Sequence, residues 1–209
     1  TPARFARYCS KVMQELGELI PYVCTINEAN IAIGMAKIIK RRKEEFTAQV
    51  GINMDMMGRL ETYANEVNKA FGLPLQEVHS FLGPRSDKGV EIIFRSHTEA
   101  RAAIRQIQPN AQVGVTLSLY DIQSIPGGEE LAAEALEEEF LQFKPYLEDD
   151  DFFGLQNYTR AVYGPDGMQK LAEGAERTQM GNEYYPHALE GVVRIVSKHL
   201  DKPIFVTQN

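Results

Sequence analysis

The sequence predicts a parallel α/β fold, and three observations lead to this prediction. Four short, β-rich apolar segments occur along the chain, helical patterns separate them, and Pro, Gly, Asp or Asn bound each segment. Strands that alternate with helices form parallel sheets with right-handed crossovers. The near-continuous apolarity of the segments indicates strands that are buried on both faces, as in a parallel sheet.

Length and composition are those of an ordinary globular protein, and we expect a single domain over residues 1–209. Hydrophobic residues make up 44% of the chain and charged residues 24%. The chain has 22 basic and 29 acidic residues, so its formal net charge is −7. This balance argues against nucleic-acid and membrane partners, which need basic surfaces. No apolar run reaches the roughly 18 residues of a membrane helix.

The first helix is expected over residues 3–16, with Thr1 as its N-cap and Pro2 at its first position. Its apolar residues fall on one stripe of helical period: Phe5, Cys9, Val12, Met13 and Leu16. The first strand is expected over residues 21–28.

A long insert is expected to follow that strand, over residues 30–95. It contains two helical stretches, at about residues 30–40 and 54–71, with the basic run Lys40–Lys43 between them. We interpret the basic run as a solvated helix end, and an anion-binding patch is the alternative. Barrel enzymes carry inserts of this kind after strands, where they shape the substrate site.

The remaining elements continue the alternation of helices and strands. A capping box at Ser96–Glu99 predicts the start of a helix that Pro109 ends, and Pro186 opens the last helix. The other elements are a strand at 113–120, a helix at 129–143, a strand at 152–158 and a strand at 204–208.

Neither the cysteines nor the histidines indicate a metal site. Cys9 and Cys24 are too few for a disulfide framework, and we interpret both as free, buried thiols in a reducing compartment. A cytoplasmic location is therefore expected. No pair among the four histidines has the one-turn spacing of a helical metal motif, so no metal or other cofactor is predicted.

Three of the four predicted strands end on polar side chains. Asn27 and Glu28 close the first strand, residues 156–158 the third, and Gln208 and Asn209 the fourth. The carboxyl ends of parallel strands meet at one face, which is where barrels place their active sites. A carboxylate at such a position is costly to desolvate, so Glu28 is a candidate catalytic group. A salt-bridged loop residue is the alternative.

Several segments, in the same order along the chain, resemble motifs of glycoside hydrolase family 1, the β-glucosidase family. Thr25-Ile-Asn-Glu-Ala29 is similar to the Thr-x-Asn-Glu-Pro motif, and Ile204–Asn209 resembles Ile-x-Val-Thr-Glu-Asn-Gly. Further likenesses lie at Val113–Leu119, Asp151–Arg160 and Met180–Pro186. The resemblance implies part of a (β/α)8 TIM barrel, from the helix before strand four to the end of strand seven. The helix and strand patterns at the two ends likewise lead us to expect a fragment.

The resemblance also implies a function, the hydrolysis of β-glucosides by a retaining β-glycosidase. Such enzymes use two carboxyl groups about 5–5.5 Å apart. By the resemblance Glu28 would be the acid/base and position 208 the nucleophile. Asn27 would bind the sugar 2-hydroxyl, and Tyr158 would hydrogen-bond the nucleophile. A structural tyrosine is the alternative for Tyr158.

The sequence departs from this pattern at the nucleophile, where it has Gln208 in place of Glu. An amide cannot ionise, so we expect this form to bind β-glycosides and to hydrolyse them very poorly. An engineered change, a natural pseudoenzyme and a sequence error are the three explanations. Four other positions also depart from the motifs: Ala29, Gln156, Asn157 and Asn182.

Two other functions stay open. One is a non-catalytic carbohydrate-binding barrel that kept Glu28 and lost its nucleophile. The other is an unrelated barrel enzyme such as a phosphosugar isomerase, which would need a phosphate-binding loop late in the barrel. The Gly127-Gly128 pair lies mid-chain and runs into two glutamates, which would repel a phosphate. The resemblance implies a carbohydrate, a β-glucoside, as the partner, and the oligomeric state is not predicted.

Overall fold

The structure is a computed structural model that describes residues 1–33, 55–72 and 87–209. The chain forms two compact units, one of residues 1–30 and 91–209 and the other of residues 31–90. The single domain and the bounds of the insert stay predictions. The basic run Lys40–Lys43 and most of the helix expected at 30–40 lie outside the described residues.

Groups of one or two helices alternate with groups of one to three strands along the described chain. The helices are α1 Pro2–Leu16, α2 Asp55–Phe71, α3 Asp87–Ile107, α4 Glu129–Glu139, α5 Lys144–Leu147 and α6 Ala188–His199. The strands are β1 Tyr22–Cys24, β2 Gln112–Ser118, β3 Asp121–Ser124, β4 Phe152–Gln156, β5 Arg160–Gly164, β6 Gly167–Met168 and β7 Ile204–Gln208. None of the helices in the described ranges is long and apolar enough to cross a membrane.

The main sheet has four parallel strands in the order β1-β2-β4-β7. The parallel α/β prediction is therefore confirmed. The central strands β2 and β4 are buried almost throughout, as their apolar sequences predict. The edge strands β1 and β7 are largely exposed, which differs from the prediction. A strand at the edge has a neighbour on one side only, so an apolar sequence alone does not bury it.

The outer face of the sheet packs against helices. Val113, Val115 and Leu117 alternate along β2 and are fully buried. Val113 packs in a cluster with apolar residues of α1 and α3, including Met13 and Ile104. The apolar stripe of α1 therefore packs against the sheet as its period predicts.

Aromatic rings and glycines share the inner face of the sheet. The ring centroids of Phe152 and Phe205 lie 4.6 Å apart, and that of Tyr22 lies 5.3 Å from Phe205. Gly114 pairs with Phe152 in the register of β2 and β4. A Cβ atom on Gly114 would lie 2.4 Å from the carbonyl oxygen of Phe152. The absence of a side chain at Gly114 therefore lets the neighbouring strand approach.

Two arginines of α3 bind two aspartates that precede β4. Arg101 Nη1 lies 2.5 Å from Asp150 Oδ1, and Arg105 Nη2 lies 2.9 Å from Asp151 Oδ2. Burial alone would raise the pKa of Asp151. A hydrogen bond from the Val113 N–H and the charge of Arg105 outweigh that effect and hold the pKa below its usual range. These contacts fix the start of β4 against β2 and α3.

A second, three-stranded sheet in the order β3-β5-β6 was not predicted. β3 and β5 pair in parallel, and β5 and β6 form an antiparallel pair. Its strands follow β2 and β4 after short connections. They are two to five residues long, which is too short to give a clear alternating pattern.

Several predicted boundaries are wrong. β1 ends at Cys24 because the chain turns away from the sheet after Thr25. The helix start expected at Ser96 lies in the middle of α3, where the Ser96 hydroxyl donates to the carbonyl of Ile92 at 2.7 Å. Ser96 therefore bonds back into its own helix instead of capping a new one. Both cysteines are free and Cys9 is buried, but Cys24 is exposed because it lies on an edge strand.

Replacing Gly114 with alanine tests the packing of the inner face. We expect Gly114→Ala to lower the free energy of unfolding by about 1–3 kcal/mol, because the new methyl group meets a backbone oxygen. Gly17→Ala is the matched control, since its nearest neighbours are side-chain atoms of Gln108, which can move. Urea unfolding of both variants measures the difference. Equal stability of the two would contradict the packing described here.

Candidate active site

A tight turn after β1 carries two of the predicted site residues, Asn27 and Glu28. Glu28 has a φ of 47°, the one positive φ of a non-glycine residue in the described ranges. A left-handed conformation is costly for such a residue and persists only where its surroundings hold it in place. Strain of this kind clusters at functional sites.

Thr116 on β2 holds this turn through both its backbone and its side chain. The Glu28 N–H donates to Thr116 Oγ1 at 2.7 Å, and the Ala29 N–H donates to the Thr116 carbonyl at 2.9 Å. The Thr116 N–H in turn donates to the carbonyl of Ile26 at 3.2 Å. Three residues of the turn, Ile26, Glu28 and Ala29, are therefore bonded to one residue of the central strand.

The far end of the turn is fixed by Asn30, which is buried. Its Nδ2 donates to the Ser118 carbonyl at 2.8 Å, and its Oδ1 accepts from the Ser118 N–H at 2.9 Å. The amide thus extends the hydrogen bonding of β2 by one rung.

The near end of the turn is fixed by His97 of α3, whose side chain is fully buried. His97 Nδ1 lies 2.7 Å from Thr25 Oγ1, and Nε2 lies 2.9 Å from Asp150 Oδ1. The ring thus hydrogen-bonds through both of its nitrogen atoms, to Thr25 on one side and to Asp150 on the other. A buried polar network therefore connects α3 with the residues that precede Asn27 and Glu28.

The hydroxyl of Tyr158 brings Glu28 and Gln208 together. It lies 2.5 Å from Gln208 Oε1, 3.3 Å from Glu28 Oε1 and 3.4 Å from Gln156 Oε1. Because Glu28 and Gln208 contact the same oxygen atom, their own oxygens lie within about 6 Å of each other, a range that includes the separation in retaining glycosidases.

An irregularity in β7 accompanies this arrangement. Leu155 pairs with Val206 whereas Gln156 pairs with Gln208, so Thr207 is an extra residue in the register. Bulges of this type redirect side chains next to active sites. Gln208 is thereby paired with Gln156, the last residue of β4, which lies two residues before Tyr158 in the sequence.

Tyr158 is set up to donate its proton. Burial raises its pKa, and the negative charge of Glu28 and the hydrogen bond to that carboxylate raise it further. The phenol therefore stays protonated at neutral pH and can donate a hydrogen bond to an oxygen at position 208 or to Glu28.

Asn27 completes the cluster. Its Oδ1 accepts from Gln156 Nε2 at 2.7 Å and lies 3.4 Å from the Thr116 hydroxyl. The structure thus brings together all four residues that the sequence predicts for the site, Asn27, Glu28, Tyr158 and Gln208, while their chemical roles stay predictions. Gln156 and Thr116 belong to the same cluster and were not predicted as site residues.

A cavity of about 520 Å³ adjoins Tyr158 and Asn209. Tyr184, Tyr185 and Met180 also line it. The Arg160 guanidinium lies 3.9 Å from the ring centroid of Tyr185. It also binds both carboxylate oxygens of Glu183 at 2.8 Å. This ion pair holds the pKa of Glu183 below its usual range and gives the tyrosine-rich wall a fixed support. Among residues 1–33, 55–72 and 87–209, no group of three or more His, Cys, Asp or Glu side chains could hold a metal ion.

Solved β-glycosidase structures match the chain over almost its whole length. The β-glycosidase BGL167 is 35% identical with a TM-score of 0.80, and the match covers 99% of this chain and 47% of that one. The apo structure of the β-glucosidase 1317 is 29% identical with a TM-score of 0.74, over 99% and 47% of the two chains. The β-glucosidase of Pyrococcus furiosus, 19% identical with a TM-score of 0.64 over 99% and 41%, supports the fold alone. No protein-family profile and no curated protein sequence match the chain.

These matches confirm the resemblance to β-glucosidases and the prediction of a partial TIM barrel. The main sheet is a curled half-barrel of parallel strands with helices on its outer face. The chain spans about half the length of the solved structures that it matches.

Removing the Thr116 hydroxyl tests how the turn is held. We expect Thr116→Val to lower the free energy of unfolding by about 1–3 kcal/mol, because the Glu28 N–H loses its acceptor. Thr116→Ser keeps the hydroxyl and is expected to lose less. Denaturant unfolding compares the two variants. A valine variant as stable as the serine variant would contradict the assignment of the hydroxyl as the support of the turn.

Proposed function

We propose that the chain is part of a retaining β-glycosidase of glycoside hydrolase family 1 that acts on β-glucosides. The single observation that supports this most is the position of the Tyr158 hydroxyl, which contacts both Glu28 and Gln208. A retaining glycosidase needs two carboxyl groups about 5–5.5 Å apart, and the shared contact with Tyr158 keeps these two side chains within a range that includes this separation. The likeness to β-glycosidase BGL167 and β-glucosidase 1317, at 35% and 29% identity, agrees with the proposal.

In this proposal Glu28 is the acid/base. Its protonated carboxyl donates a proton to the glycosidic oxygen as the bond to the anomeric carbon breaks, and the resulting carboxylate then takes a proton from water. Asn27 donates to the sugar 2-hydroxyl, and Tyr158 hydrogen-bonds the group at position 208. The left-handed turn fixes the Glu28 backbone on the sheet and so limits the positions of its carboxylate.

The residue at position 208 is needed for hydrolysis but not for sugar binding in this proposal. A carboxylate at position 208 would attack the anomeric carbon and form the glycosyl-enzyme, whereas the amide of Gln208 is neutral and a poor nucleophile. This form of the protein therefore binds β-glucosides and hydrolyses them very slowly.

We also propose that the chain is one part of a longer barrel protein. Tyr22, Phe205 and Val206 are large apolar residues of the edge strands with 55%, 38% and 46% of their surface exposed. In a closed barrel further strands would pair with β1 and β7 and cover these side chains. The chain matches only about half of the length of the solved β-glycosidase structures, which supports the same conclusion. A cytoplasmic location stays a prediction.

Tyrosines are proposed to supply the aromatic surface for sugar binding. The sequence contains no tryptophan. Tyr184 is 54% exposed and lines the cavity next to Tyr158. Aromatic rings stack on the apolar faces of pyranose rings, so this wall offers a contact for a carbohydrate that occupies the cavity.

A non-catalytic carbohydrate-binding barrel is the second candidate, and Gln208 is the observation that favours it. The two candidates differ in one prediction. In a binding protein, restoring a carboxylate at position 208 would not restore hydrolysis.

Gln208→Glu in the full-length protein distinguishes the two candidates. We expect kcat for an aryl β-glucoside to rise by about 10³-fold or more, because the carboxylate can form the covalent intermediate. Combining Gln208→Glu with Glu28→Gln is the matched control and should remove most of that gain. Sugar binding without any gain in hydrolysis would favour the binding protein over the enzyme.

A further inference from the structure

The amide of Gln156 lies at the centre of the site and is almost completely buried, with 1% of its surface exposed. Its Nε2 is 2.7 Å from Asn27 Oδ1, and its Oε1 is 3.4 Å from the Tyr158 hydroxyl. Gln156 thus reaches from the end of β4 across β2 to the turn that follows β1. A side chain shorter by one methylene, about 1.5 Å, would not span this distance.

A hydroxyl group stands at each end of this chain of hydrogen bonds. The Thr116 hydroxyl accepts from the Glu28 N–H, so its own proton is free to be donated. Asn27 Oδ1 lies 3.4 Å from that hydroxyl and is one of its two acceptors, the other being the Ile26 carbonyl at 3.5 Å. At the other end Gln156 Oε1 lies 3.4 Å from the Tyr158 hydroxyl, which makes its shorter contact, 2.5 Å, with Gln208 Oε1. With its oxygen directed to Tyr158, Gln156 presents its NH₂ group to Asn27.

This order has a consequence for Asn27. Its oxygen is held by a donor on Gln156 and faces the hydroxyl of Thr116, so its NH₂ group is directed away from them. An amide whose orientation is not held can rotate and present either a donor or an acceptor to a ligand. Held in this way, Asn27 offers a donor and pays no cost of reorientation on binding.

We propose that Gln156 is a positioning residue that fixes the Asn27 amide as a hydrogen-bond donor to the 2-hydroxyl of the bound sugar. This inference rests on the proposed function, since it takes a β-glucoside as the ligand. Gln156 itself acts through Asn27 and need not contact the sugar.

The test compares a phenyl β-glucoside with its 2-deoxy analogue in the full-length protein that carries Gln208. Calorimetry gives the two dissociation constants, and their ratio isolates the contribution of the 2-hydroxyl. We expect the parent protein to favour the 2-hydroxyl sugar by about 10-fold and Gln156→Met to reduce that preference to within about 2-fold. Gln156→Glu replaces the donor with acceptors and should have the same effect. Thermal unfolding verifies that both variants are folded, and Gln142→Glu, at an exposed position, controls for the added charge.

Asn27→Ala provides the second comparison. It should remove the preference for the 2-hydroxyl, and adding Gln156→Met to it should produce no further loss, because both changes act on one contact. A Gln156→Met protein that keeps the full preference, or a double variant whose losses add, would overturn the role of Gln156 while leaving the proposed function intact. A parent protein that binds neither glucoside would overturn the proposed function and this inference with it.

Discussion

The whole site depends on the hydrogen bonds between Thr116 and the turn after β1. A strand that ends at Cys24 would otherwise leave Asn27 and Glu28 on an unsupported loop. Thr116 lies in the most buried part of the sheet and bonds to three residues of the turn, Ile26, Glu28 and Ala29. These bonds hold Glu28 in a left-handed conformation that few residues adopt without such support. The central strand thereby fixes the backbone of Glu28 and limits the positions of its carboxylate.

The same constraint explains why two other strands contribute to the site. Once the turn is fixed above β2, the end of β4 lies next to it, and the buried Gln156 side chain can reach Asn27. The extra residue in β7 aligns Gln208 with the end of β4, where Tyr158 contacts it. The Tyr158 hydroxyl donates a hydrogen bond to the side-chain oxygen at position 208, although the residue there is an amide. Of the two carboxyl groups of the proposed mechanism, Glu28 is present and the one at position 208 is replaced by an amide.

The sequence predicts the parallel sheet and the polar ends of its strands, because burial and chain direction leave periodic patterns. β2, β4 and β7 were expected close to their observed positions, and the site residues were found from motifs at strand ends. The residues that support the site have no comparable pattern in the sequence. The roles of Thr116, Gln156 and His97 depend on which strands and helices become neighbours, and the early end of β1 depends on a turn that bonds to a distant strand. The helix start predicted from the Ser96–Glu99 capping box is wrong, because Ser96 bonds back into a helix that begins nine residues earlier, at Asp87.

The proposed mechanism makes position 208 the nucleophile site, where this sequence has an amide in place of a carboxylate. The most direct test exposes the full-length Gln208→Glu protein to a 2-deoxy-2-fluoro β-glucoside with a good leaving group, followed by intact-mass and peptide analysis. We expect a mass increase of one fluoroglucosyl unit, carried by the peptide that contains position 208, and no increase in the parent protein. Labelling at another residue, or no labelling of a folded variant that binds the sugar, would contradict it.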